Sequence, residues 1–244
     1  MSPRNPALKL LGLCALVAGL MAIGTAAAQA EETGGSWTYI DGSGVLKVLP
    51  NNESVGGNFE PSTDGILLTE ILKKPVAFLC TSFTINESKL ITGGEILFRL
   101  TFHGCIVKVG GVTQAACEPN AEGIHPGLIQ TRKIVGNLLL HKLSGGAVDR
   151  IIIAKPDTGE PNFAVVEMDE ECSIGSEVPV GGTFAIIPSN PTTHEANHLI
   201  TEFAPLTHLW TISDTAEHKT IIDGSAEAFL NGANLGRSWA ALWN

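Results

Sequence analysis

The sequence predicts an all-β fold, an antiparallel sandwich or barrel-like domain with little helix. Three observations carry this expectation. Apolar residues fall in short runs that alternate or are β-branched, not at helical spacing. Glycine is frequent, with 27 in 244 residues, and Gly-Gly pairs at 34, 56, 93, 110, 145 and 181 fall mostly between the runs, as turn punctuation does. Thirteen scattered prolines interrupt any long helix.

The expected strands, in order, are Trp37–Ile40, Val45–Leu49, Ile66–Leu72, Val76–Ile85, Glu95–His103 and Ile106–Val109. They continue with Leu128–Leu143, Val148–Ala154, Phe163–Met168, Thr183–Ile187, Leu199–Phe203 and Leu209–Ile212. In Glu95–His103, Ile96, Phe98, Leu100 and Phe102 occupy one face, the pattern of a half-buried antiparallel strand. Ser225–Asn231 carries helix formers crowded by Gly224, Gly232 and Gly236, and is one of two helix candidates. The other, Ile129–Leu143, reads better as strand because of Gly136 and its β-branched residues. Residues 31–36 and 50–64 read as loose polar tethers.

Residues 1–30 read as a cleavable signal peptide. Arg4 and Lys9 precede an apolar stretch from Leu10 to Ala28, and Ala28-Gln29-Ala30 supplies a small-x-small exit before Glu31-Glu32. A membrane anchor is the competing reading, and the well-formed cleavage site favours removal. Cys14 lies inside the apolar stretch behind Leu13, which argues against lipidation. Cleavage would leave 31–244 as one exported β-rich domain and move the formal net charge from −10 to −12. Such an acidic chain is a poor partner for nucleic acid or an anionic membrane. No later segment is long and apolar enough to span a membrane as a helix.

Cys80, Cys105, Cys117 and Cys172 form an even set in an exported chain, which implies two disulfides. If Gly110-Gly111-Val112 is a three-residue hairpin loop, Val109 faces Thr113 and Cys105 lies opposite Cys117. The expected bridges are then Cys105–Cys117 and, by elimination, Cys80–Cys172. The cysteines contain no C-x-x-C pair, so a zinc cluster is disfavoured.

The cysteine frame resembles a group of exported, β-rich proteins of soil actinobacteria. The residues that carry the likeness are Phe78-Leu-Cys80, Gly94-Glu-Ile-Leu-Phe-Arg-Leu-Thr-Phe-His-Gly-Cys105 and Cys117. Further along they are Gly127–Thr131, Ile134–Leu138, Glu171-Cys172 and the tail Ala226–Ala233. The resemblance covers roughly residues 75–235. That group has no established activity, so the resemblance implies a fold and an exported location and assigns no functional residue.

One chemical motif stands out. His194-Glu195-Ala196-Asn197-His198 is a literal H-E-x-x-H. On a helix its two imidazoles would share a face and grip zinc, while Glu195 activated a bound water. The context argues otherwise. Pro188-Ser-Asn-Pro191 leaves no helical turn ahead of His194, and the third ligand is unassigned among His208, Glu217 and His218. In an extended chain the two histidines would lie about 13–14 Å apart, too far to share a metal. The acidic run Glu167–Glu171 reads as a solvated strand end, Trp210 as core, and Trp239 and Trp243 as a pair buried against the body.

The sequence therefore favours a non-enzymatic structural or binding module of the cell envelope or extracellular space, with no cofactor and no catalytic residue. The alternative is a zinc-dependent hydrolase using His194 and His198 as metal ligands and Glu195 as the base. Secondary structure at 190–200 separates the two.

Overall fold

The computed structural model describes residues 32–33, 35–59, 65–121, 125–142, 148–202, 204–213 and 216–243. The expected signal peptide, residues 1–30, lies outside the described residues, and Glu32–Asn244 forms one compact unit. The fold is all-β. In chain order the strands are β1 (Glu32–Thr33), β2 (Gly35–Ile40), β3 (Leu46–Val48), β4 (Val55–Phe59), β5 (Gly65–Ile71), β6 (Lys74–Cys80), β7 (Ser82–Ile91) and β8 (Glu95–His103). Next come β9 (Ile106–Val109), β10 (Val112–Thr113), β11 (Asn120–Ala121), β12 (His125–Pro126), β13 (Ile129–Gln130), β14 (Ile134–Lys142) and β15 (Val148–Pro156). The remainder are β16 (Asn162–Glu167), β17 (Glu177–Pro188), β18 (Asn197–Glu202), β19 (His208–Ser213), β20 (Ala216–Asp223), β21 (Ser225–Leu230) and β22 (Trp239–Trp243). Helical turns among the described residues are short 3-10 segments at Ala115–Cys117, Ala204–Leu206 and Gly232–Asn234.

Antiparallel pairing carries the main sheet around a barrel-like ring. β7 pairs with β8, β8 with β14, β14 with β15, and β15 with the C-terminal half of β17. That half pairs with β18, β18 with β21, and β21 with β4. The ring returns to β7 through Ser88, whose Oγ accepts from Val55 N at 2.8 Å and donates to Val55 O at 2.6 Å. An isolated bridge between Glu53 and Leu90 completes the junction. Curling the sheet on itself removes exposed edges.

A second sheet runs β9-β6-β5-β20-β19-β17-β16, with β10 folded back on β9. The N-terminal half of β17 belongs to this sheet and its C-terminal half to the ring. The strand changes sheets at Gly181-Gly182. Gly182 has φ 106°, and a β-carbon there would collide with the His208 carbonyl. Such a corner requires glycine.

A small third sheet, β22-β2-β3, covers one end of the ring. Trp37 and Trp239, with ring centroids 6.0 Å apart, pack there with Leu49, Val55, Leu90 and Leu138. A separate core under the second sheet gathers Phe78, Val107, Val166 and Val178 with all four cysteines.

The disulfides are Cys80–Cys105 and Cys117–Cys172, so the expected pairs Cys105–Cys117 and Cys80–Cys172 are corrected. The error is one residue of register. The hairpin loop holds two residues, Gly110 and Gly111, with φ 61° and 83°, and Val109 pairs with Val112. A one-residue slip reverses every facing, and the chain leaves the ladder after Thr113. Cys105 instead extends the β6–β9 ladder beyond Leu79–Ile106, which places it beside Cys80 at a Cα separation of 4.0 Å. Cys117 meets Cys172 across the second core at 4.7 Å.

Two further expectations change. The tether regions contain β1, the first two residues of β2, and β4, the last inside the ring; residues 60–64 lie outside the described residues. Ser225–Leu230 is a strand, paired on both sides by β18 and β4, so tertiary pairing overrides its helix propensity.

Candidate functional site: an apolar chamber in the barrel

Strand alternation directs one face of each ring strand inward. On β8 that face carries Ile96, Phe98, Leu100 and Phe102, the alternating set visible in the sequence. Ile85 of β7, Ile186 of β17 and Ile200 of β18 join them. Ile85, Ile96, Leu100, Ile186 and Ile200 are only half-buried although they face inward, because they look onto open volume. That volume is a cavity of about 260 Å³, close to the small end of the ~300–1,000 Å³ typical of ligand pockets. Phe78, Phe163 and Phe184 extend its wall toward the second sheet.

Trp37, Trp239 and His198 mark one end of the chamber. His198 is 1% exposed. Its Nδ1 lies 2.9 Å from Ser189 O and its Nε2 2.7 Å from Trp239 O. Both ring nitrogens thus face carbonyl acceptors, and its ring meets the Trp239 indole edge-on at 4.8 Å. The Trp239 indole N–H is buried with no hydrogen-bond partner among the described residues.

The rest of the H-E-x-x-H segment is a clasp between the ring and the small sheet. His194 lies in a non-helical loop, with Nε2 3.1 Å from Thr38 Oγ1 of β2. Burial, and secondarily the nearby His198, holds its pKa below the ordinary histidine value. Glu195 exchanges backbone hydrogen bonds with Trp239, while its carboxylate accepts from Asn190 Nδ2 at 3.0 Å. His198 itself is in β18. The segment therefore lacks the helix on which an H-E-x-x-H zinc motif is built, and both nitrogens of His198 face backbone carbonyls. Among the described residues no group of three His, Cys, Asp or Glu is arranged to hold a metal. His208 and His218 lie on β19 and β20, where Thr183 pairs with His208 and Thr211 with His218.

Comparison with known protein families, with curated proteins and with solved structures returns no match. The chemistry of the chamber is therefore read from its own residues.

The opposite end is acidic. Glu202 shares its strand face with His198 and Ile200, and it lines the chamber together with Asp223, which is itself exposed; Glu227 pairs with Leu199 and faces outward. Burial raises the Glu202 carboxyl above its usual range. The Thr207 hydroxyl opposes that shift, Asp223 adds to it, and Lys219 weakly offsets it. Glu202 belongs to no motif in the sequence. Its signal was the even-position series His198, Ile200, Glu202, which places a carboxylate on an inward face.

Other features are structural. Trp210, expected in the core, is half-buried on the face of β19 opposite Leu209 and Thr211, where it covers Gly181. Trp239 is buried as expected, and the Trp243 side chain lies outside what is described. The acidic run at 167–171 is exposed apart from Met168. A polar cleft of about 500 Å³ near Arg132 and Lys133 carries opposed charges that pair internally, Arg132 with Glu160 and Lys133 with Asp157.

Proposed function

We propose that this protein is an exported, non-enzymatic binding module of the cell envelope or extracellular space that holds a small apolar molecule inside its barrel. The observation that carries the reading is the apolar chamber within the antiparallel ring, with the Trp37–Trp239 pair at one end. The ring has eight strands, β4, β7, β8, β14, β15, β17, β18 and β21, a number that either packs its interior with side chains or holds one small ligand there. Two disulfides fit an oxidising compartment, as does the basic-apolar-small pattern of residues 1–30. Among the described residues no helix is long and apolar enough to cross a membrane. The chamber wall presents hydrocarbon where a catalytic centre would place nucleophile, base and oxyanion donors together.

The test is titration of the exported protein with an uncharged, environment-sensitive fluorophore such as N-phenyl-1-naphthylamine. Saturable one-to-one binding is expected, abolished by Ala226→Phe, which fills the chamber. Absence of saturable binding, or equal binding by a folded Ala226→Phe variant, would overturn the reading.

A further inference from the structure

We propose that the chamber takes a cationic amphiphile, its hydrocarbon body against the inward faces of β8, β17 and β18 and its ammonium group against the Glu202 and Asp223 carboxylates. This rests on the binding reading above and adds the chemistry of the head group.

The charge distribution of the lining favours this occupant. Glu202 and Asp223 lie at one end, and no lysine or arginine is among the described lining residues. Lys219, the cation that acts on Glu202, is exposed on β20 and is not part of the lining. A carboxylate on the inward face of an apolar barrel loses hydration, and an incoming cation restores a partner to it. Glu202 has the Thr207 hydroxyl as a partner, yet burial and the neighbouring Asp223 still raise its carboxyl, so a cation at this end would ease the cost of its charge. A carboxylate-headed ligand would instead meet like charge. The formal net charge of −10 also draws cations toward the molecule from a distance.

Chamber length fits a medium hydrocarbon chain. His198 and Glu202 mark its two ends along β18, four residues and therefore about 13 Å apart. The Trp37–Trp239 end receives the hydrocarbon tail, and the junction of β20 and β21 around Gly224 receives the head.

Three ligands of one chain length separate the terms: decylammonium, 1-decanol and decanoate, each displacing the neutral fluorophore at pH 7.5. Decylammonium is expected to bind at least ten-fold more tightly than 1-decanol, with decanoate weakest. The ammonium advantage should shrink as salt is raised, and it should fall below three-fold in Glu202→Gln and in Glu202→Gln/Asp223→Asn. The single variant keeps the test open if the double variant fails to fold. Decanoate binding as well as decylammonium, or an ammonium advantage that survives both variants, would overturn the head-group assignment while leaving the apolar chamber standing. Failure of all three to displace the fluorophore would overturn both.

Discussion

A single carboxylate shows at the residue scale how burial on an inward face weighs against stability. Glu202 has its folded-state pKa raised, with burial the first cause. The fold therefore favours the protonated acid. The stability linked to this group is fully present below its unfolded value of about 4.5 and is lost as pH rises through the raised folded value. At neutral pH the charge opposes folding, so Glu202→Gln should raise the thermal midpoint slightly at pH 7 and leave it unchanged near pH 3. Differential scanning calorimetry at the two pH values checks this; a lower midpoint at pH 7 would show that the carboxylate is already well partnered. Glu202 was hidden in the sequence because an isolated acid in a short strand is ordinarily solvent-facing. Only the ring tells which face of β18 points inward. The histidines of the H-E-x-x-H motif are legible as residues but not as chemistry, because two of their partners, Thr38 and the Trp239 carbonyl, lie 156 and 41 positions away.

Local pattern served well for individual strands and failed where register mattered. Glu95–His103 and Ile106–Val109 have the bounds read from alternation and β-branching alone. β4 escaped notice because Val55-Gly-Gly-Asn-Phe59 has little intrinsic β preference; its glycines are covered by Phe229 and Ile85 from neighbouring strands. Register cannot be read locally when a glycine pair closes a loop of two residues as readily as three. Non-reducing peptide mapping should recover Cys80 with Cys105 and Cys117 with Cys172. Recovery of a Cys105–Cys117 peptide would reinstate the three-residue hairpin. On the chain-entropy view, bridges separated by 25 and 55 residues contribute about 3.5 and about 4 kcal/mol. Double Cys→Ala variants should therefore lose comparable stability, because loop length enters only as a logarithm.

Across the whole molecule, most strand partners are distant in sequence: β4 meets β21, β5 meets β20, and β2 meets β22. Loop closure must precede these contacts, so folding is slow and intermediates expose unpaired edges. A domain stability of ~5–15 kcal/mol leaves little margin once two bridges are absent. Residues 31–244 expressed in a reducing cytoplasm should be largely insoluble, whereas periplasmic export should yield folded protein. Equal soluble yields, compared by fractionation and circular dichroism, would show that the bridges are dispensable. The class of fold was legible from composition and alternation. The ring, its chamber and the acidic end were not, since each arises from pairings that no local window contains.

The twelve residues of β17 have a consequence for how this protein can change over time. One half of the strand is indispensable to the ring and the other to the second sheet, with Gly181-Gly182 between them. No cut through the chain hands each sheet a complete set of strands. Neither half can be inherited, duplicated or borrowed by another protein on its own, so the lineage is bound to vary its lining residues and loops while passing on the two-sheet body undivided.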